Sequence, residues 1–299
     1  MTDADPQRVA CMQALLADIG QRLASGELAA SEAVCLAVEC MENEPLYNAG
    51  RGSVLDAEGN ISMDASIMRG HDQAAGSVVG LQSSRHPVRA AERLMENGWP
   101  VMLAGSAGDV FAAENGVEQV EKAWLETQLR RAQWDKWRRE RLRPGATDEE
   151  DALLDHDAEH DGWGTVGAVA LDANGNLAAA TSTGGMTGKP PGRVGDTPII
   201  GAGTWADKHI AVSCTGVGEA FIRTAAAHAV ASFHQDRSLE AAAEAMLDLV
   251  EPLGGRGGVI AVNRKGEVVM PFRTMLMYRG WYRDGTVDVG IGPSFLQSS

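Results

Sequence analysis

Between about residue 128 and residue 162 this chain of 299 residues runs through two blocks of opposite charge, QLRRAQWDKWRRERLR and then TDEEDALLDHDAEHD. Directly afterwards it reads HDGWGTVGAVALD, where charge gives way to an apolar strand pattern at Gly164–Thr165. No other feature limits the fold as strongly. Runs of like charge resist burial and mark solvated sequence rather than core. The reading is a flexible charged linker over 128–162, following a last helix and separating an N-terminal part (1–164) from a C-terminal part (165–299). Within the linker His156 and His160 have helical metal-ligand spacing, but with no third ligand in a rigid context they predict no metal site.

On either side of the break the hydrophobic periodicity is regular. Val9, Met12, Leu15, Leu16, Ile19 and Leu23 form one helical stripe. A second helix starts near Ser31 and ends before Pro45. Extended runs at 53–55 and 61–63 flank a polar turn and predict a hairpin, residues 74–82 a strand and 86–97 a helix. Past the break, TVGAVALD and LAAATSTGG predict a hairpin about the turn ANGN. IAVSC reads as a buried strand, 219–234 and 239–250 as helices, and GGVIAVN with EVVMPF as a third hairpin. Strand pairs and helices in both halves predict an α+β fold of helices layered over antiparallel sheets.

Composition removes several functions. A formal charge of −15 opposes a nucleic-acid partner, which needs a basic face. No apolar run reaches the roughly 20 residues of a membrane span, and MTDADPQRVA lacks the basic start of a secretory signal, so the expected location is cytoplasmic. Cys11, Cys35, Cys40 and Cys214 show no CxxC spacing and read as reduced core residues. There is no GxSxG elbow, P-loop or HExxH pair. What remains is the density of Thr, Gly, Arg and Asp in TSTGGMTGKPPGRVGDTPIIGAG and CTGVGEAF.

If the bond between Gly164 and Thr165 is cut, Thr165 carries a hydroxyl and a free α-amine on one residue. That amine, with an unperturbed pKa of about 7.7–8.0, can take the hydroxyl proton without a histidine. Gly164 tolerates backbone conformations closed to other residues, which would let Thr165 attack the carbonyl before it. The competing reading of this stretch alone is a glycine ending a loop before a strand.

PLYNAGRGSVLDAEGNISMDASIMRG, HDGWGTVGAVALD, TSTGGMTGKPPGRVGDTPIIGAGTWAD and AVSCTGVGEAFIR, taken together and in this order, resemble the plant-type asparaginase/isoaspartyl peptidase family of N-terminal-nucleophile hydrolases. The resemblance runs from roughly residue 8 to 281. It implies one structural domain, a four-layer αββα sandwich made as a precursor that cleaves itself before the nucleophile and associates as a dimer of αβ heterodimers. It implies Thr165 as nucleophile, Thr183 as the hydroxyl that orients it, and Thr215 and Gly216 as oxyanion stabilisers. Asn48 is implied beside the nucleophile, with turn capping as its plain structural alternative. Arg193 and Asp196 would hold the substrate's α-carboxylate and α-amine, with Gly216 and Gly218 also contacting substrate. The plain alternative for Arg193 and Asp196 is a surface ion pair.

The loop at about 41–51 resembles one that binds a structural sodium ion through backbone carbonyls, here those of Met41, Glu42, Glu44, Tyr47, Ala49 and Arg51; no cofactor is implied for catalysis. The implied substrates are L-asparagine and β-aspartyl dipeptides. A glycosylasparaginase-like amidase and an uncleaved, inactive binding protein are the alternatives. One departure stands out. The family opens with a strand ending in a His-Gly-Gly-x-Gly loop, whereas MTDADPQ leads straight into a helix, so either the true start lies upstream or the sandwich lacks its usual first strand and an active-site loop, which leaves efficient self-cleavage an open expectation.

Overall fold

The two halves of the sequence meet in the middle of one sheet. The computed structural model describes residues 5–141, 164–292 and 295–296. Strand β1 (Met63–Arg69), from the first half, pairs antiparallel with β5 (Leu177–Thr183), from the second, in a register running from Asp64 opposite Thr183 to Arg69 opposite Ala178. β2 (Ala75–Leu81) and β3 (Met102–Ala104) extend the sheet on one side and β4 (Val166–Leu171) on the other, giving the order β3-β2-β1-β5-β4. A second sheet has the order β6-β7-β8-β9: β6 (Thr204–Ala206), β7 (Ile210–Gly216), β8 (Gly257–Asn263) and β9 (Val268–Val269).

Helix α1 (Asp5–Ala24) is followed by α2 (Ala30–Asn43), which packs on β4 and β5, and by α3 (Pro87–Asn97), which packs on β1 and β2. After α4 (Ser106–Glu114), α5 (Lys122–Leu125) and α6 (Gln128–Arg141) come α7 (Gly218–Thr224), α8 (Ala226–Phe233) and α9 (Leu239–Val250). α8 lies on β7 and α9 on β8, while β4 and β5 pack against β7 and β8. Every residue of β5 is buried, as expected of a strand covered on both faces. α9 shows how such a helix is specified. Ser238 caps it by accepting the Ala241 N–H at 3.2 Å, and Leu239, Ala242, Ala243, Met246, Leu247 and Val250 form its buried stripe. Each large side chain in that stripe contributes about 1.5–3 kcal/mol of burial.

The expected α+β class and most elements are observed, with four corrections. The linker does not begin at 128. Residues Gln128–Arg141 form α6, whose Arg130 and Trp134 are buried; Arg130 Nε donates to Gly52 O at 2.6 Å and Trp134 Nε1 to Asp56 O at 2.7 Å. A basic block can therefore dock where unpaired loop carbonyls wait for donors. The remainder, 142–162, with His156 and His160, lies outside the described residues. The hairpin at 53–63 is reduced to one bridge, Leu55 to Ile61, and the strand proper starts at Met63. The helix expected over 219–234 breaks at Ala225, which adopts a left-handed φ of 49°. Finally, β10 (Arg279–Arg283) and β11 (Thr286–Gly290), with β12 (Phe295–Leu296), form a third sheet, and β10 and β11 pack on α1.

Candidate active site

Thr165 stands just before β4, and its Oγ1 donates to Thr183 Oγ1 at 3.4 Å. The register that sets Val166 opposite Ser182 brings the two threonines side by side. Thr183 Oγ1 in turn accepts the Gly185 N–H at 3.0 Å. Gly164 has φ +146°, a conformation that side chains rarely adopt, and a Cβ there would lie 3.7 Å from Asn48 N. Asn48 is thus a neighbour of Gly164, and its side chain bridges to Val54 and Gly185 rather than capping the turn into Ala49–Gly50. It is buried, donates to Gly185 O at 2.7 Å and accepts the Val54 N–H at 2.9 Å. A backbone bond from Gly184 N to Asn48 O at 2.9 Å completes the stitch between the two loops.

Thr165 opens onto a cavity of about 1560 Å³ that follows β4 and is also lined by Thr215, Gly216 and the apolar stripe of α1. Thr215 and Gly216 end β7, opposite Gly258 and Gly257. At Gly216 a Cβ would come within 2.3 Å of Arg256 O, so only glycine lets the chain turn there. Arg193, Asp196 and Gly218 do not line that cavity. They form a neighbouring cluster, joined to it through Val217. A Cβ on Gly218 would lie 3.0 Å from Arg193 Nη2 and 3.0 Å from Asp196 Oδ1.

The charges of this cluster differ from the simple pair that the sequence suggests. Arg193 Nε and Nη2 each donate to Glu219 at 2.9 Å, so its fork is engaged by a carboxylate other than Asp196. Asp196 is buried, and its Oδ2 has no hydrogen-bond partner among the described residues. Burial pushes its carboxyl up to about 7; Arg193 opposes the shift, while Glu219 and Asp64 add to it. Glu219 and Asp64 were not singled out from the sequence. Glu219 could have been, as the only carboxylate within the CTGVGEAF motif. Glu42, considered for its carbonyl, also has a side-chain role: its carboxylate accepts from Ser182 Oγ at 2.5 Å and Val88 N at 3.0 Å. It thereby ties the end of α2 to the residue beside Thr183.

The loop expected to hold sodium follows α2, whose C-terminal carbonyls carry partial negative charge. Met41 O, Glu42 O and Glu44 O accept from Glu44 N, Arg51 N and Tyr47 N at 3.2, 2.7 and 3.1 Å. A Cβ on Gly52 (φ +97°) would fall 2.5 Å from Pro45 O and 2.7 Å from Tyr47 O. Two carbonyl oxygens therefore face the space that Gly52 leaves open, of which Tyr47 O belongs to the expected set, while Met41 O, Glu42 O and Glu44 O already accept backbone N–H groups. Ala49 is buried in the same turn. Among the described residues no group of three or more His, Cys, Asp or Glu could hold a metal ion, and no helix is long and apolar enough to cross a membrane.

A threonine hydroxyl at a strand head, an adjacent hydroxyl and glycine, and a buried charge cluster are the kinds of group that acyl transfer at an amide uses. The comparisons agree. The model of the asparaginase family matches residues 2–291. The chain is 43% identical over 285 residues to an isoaspartyl peptidase of Escherichia coli K12, covering 92% of this chain and 86% of that protein. It is 40% identical over 276 residues to an isoaspartyl peptidase/L-asparaginase of Mus musculus, covering 91% and 81%. This chain belongs to the asparaginase family and is an enzyme, a hydrolase.

Proposed function

We propose that this protein is an isoaspartyl peptidase with L-asparaginase activity, with the αββα layering of N-terminal-nucleophile hydrolases, activated by cleavage between Gly164 and Thr165. The observation that carries the reading is the approach of Thr165 Oγ1 to Thr183 Oγ1 at 3.4 Å, beside Gly164 in its left-handed φ. In the intact chain the Thr165 nitrogen is an amide and cannot act as a base. Attack of Thr165 Oγ on the Gly164 carbonyl moves the acyl group from nitrogen to oxygen and frees the α-amine, which takes up the hydroxyl proton; hydrolysis of the resulting ester then separates the chains as the Gly164 carboxylate and the Thr165 hydroxyl.

In the cleaved enzyme the amine accepts the hydroxyl proton as Oγ attacks the side-chain carbonyl of L-asparagine or of a β-aspartyl peptide. Thr183 orients the hydroxyl. The Thr215 hydroxyl and Gly216 N–H donate to the developing oxyanion, an interaction worth about 3–4 kcal/mol per donor in acyl-transfer sites. The leaving amine takes the proton, and water then cleaves the β-aspartyl ester to give L-aspartate. Arg193 receives the α-carboxylate and Asp196 the α-ammonium, while Gly218 leaves them room. A sodium ion held by the 41–51 carbonyls would fix the loop carrying Asn48, and the cleaved chains would associate as a dimer of αβ heterodimers. Release of aspartate from β-Asp-Leu and from L-asparagine tests this reading. Turnover of a glycosylated asparagine in preference to both would overturn it.

A further inference from the structure

One layer below the candidate nucleophile, four hydroxyls meet between the two sheets. Ser66 on β1, Thr181 on β5, Thr204 on β6 and Ser213 on β7 are each no more than 4% exposed. The next layer is apolar: two residues along each strand, on the same faces, lie Met68, Ala179, Ala206 and Ala211. The hydroxyls form one chain. Ser213 Oγ lies 2.8 Å from Thr181 Oγ1, Thr181 Oγ1 2.5 Å from Thr204 Oγ1, and Thr204 Oγ1 2.8 Å from Ser66 Oγ. Ser66 Oγ ends the chain by donating to Thr197 O at 2.6 Å.

This chain joins the strands that carry the candidate catalytic groups. Alternate residues of a strand share a face, so Thr181 stands under Thr183 and Ser213 under Thr215. Gly167, opposite Thr181, stands under Thr165 in the same way. A Cβ on Gly167 would come 2.1 Å from Ser213 Oγ, so β7 approaches β4 as closely as glycine allows. The lower rung is therefore Gly167, Thr181 and Ser213, and the upper rung Thr165, Thr183 and Thr215. Thr165 and Thr215 line the same cavity. A satisfied hydroxyl network specifies one arrangement of the strands, where contacts such as the alanines of the next layer tolerate several.

We propose that Thr181, through its hydroxyl bridge to Ser213, is a positioning residue that sets the separation of Thr215 from Thr165 and so the stabilisation of the oxyanion. It is fully buried and acts through β7 rather than on substrate. The inference rests on the function proposed above. The loop after Asp196 has a second anchor, since Ser77 Oγ donates to Pro198 O at 2.7 Å. Loss of the Thr181 hydroxyl therefore falls on turnover and spares substrate capture. A shift of about 1 Å at an oxyanion donor is enough to slow the reaction about ten- to a hundredfold.

The test is steady-state turnover of β-Asp-Leu, with kcat expressed per cleaved chain as counted by intact mass. Thr181→Val keeps the shape and removes the hydroxyl. It should lower kcat about tenfold or more and change KM less than about threefold. Thr181→Ser restores the bridge and should bring kcat back to within about threefold of the unsubstituted protein. On a Thr215→Ala background, Thr181→Val should cost less than about threefold more, because the group it positions is gone. An unchanged kcat in Thr181→Val, its full loss repeated on the Thr215→Ala background, or an equal loss in Thr181→Ser overturns the proposal. If Thr181→Val does not fold, Ser213→Ala takes its place with the same expected values. Should the unsubstituted protein fail to hydrolyse β-Asp-Leu, the proposed function falls first and this inference with it.

Discussion

Arg193 faces Glu219 as a fork faces a carboxylate, Nε to Oε1 and Nη2 to Oε2, both at 2.9 Å. Arg193 is largely buried, whereas the Glu219 side chain is 56% exposed, so the pair sits at the mouth of the cluster. Two parallel charge-assisted bonds fix the guanidinium plane, leaving Nη1 free of that contact for a substrate carboxylate. Glu219→Ala should therefore raise KM about three- to tenfold and leave kcat nearly unchanged, the scale expected of one partly exposed pair. The check is steady-state kinetics on β-Asp-Leu at low and high salt. A loss confined to kcat would contradict an orienting role.

The Asp196 carboxyl, pushed up to about 7 by burial, makes two pH predictions. In the substrate-free protein the unfolded carboxyl ionises near 4 while the folded one stays protonated. This group's contribution to stability is therefore present below pH 4 and is lost as pH rises to about 7. For binding the sign reverses, because an α-ammonium needs the charged carboxylate. L-aspartate affinity should improve as pH rises from 6 to 8, with proton release on binding, measurable by calorimetry in buffers of different ionisation heat. Asp196→Asn should abolish that pH dependence.

Arg130 makes a stability prediction. Its Nε bond to Gly52 O at 2.6 Å holds the turn next to the candidate sodium loop. Arg130→Ala leaves a buried carbonyl unpaired and should cost about 2–3 kcal/mol, lowering Tm by several degrees. Arg139→Ala, an exposed residue of the same helix, should change stability by less than about 0.5 kcal/mol.

Thr183→Val should keep the fold, since valine nearly matches threonine in shape, and should slow both self-cleavage and turnover by about a hundredfold or more. Mass analysis against incubation time reads the first and kcat the second. Full-rate cleavage in this variant would remove Thr183 from the mechanism.

The same residues show what a sequence can and cannot disclose. The Thr165–Thr183 approach was expected from the family resemblance, and the hairpin about ANGN supplies the register that brings it about. α3 and α9 were legible from a proline start and from apolar spacing. Arg130 was not, since a buried arginine within a basic block looks like its solvated neighbours until the loop carbonyls that need it are in place. Ala225 gave no local sign of its left-handed φ, which tertiary packing imposes. The β10–β11 turn did carry a signal, Asp284–Gly285, both with positive φ, the favoured dipeptide of a tight hairpin. Asp64 looked like one polar residue in a strand, because the register shift beside it, between Met63 and Ala65, exists only in the assembled sheet.

Intact mass and N-terminal sequencing of purified protein that hydrolyses β-Asp-Leu test the central claim most directly. The account predicts two chains, the second beginning at Thr165, and a single inactive chain for Thr165→Ala. Unbroken polypeptide with full activity, or two chains from Thr165→Ala, would contradict it.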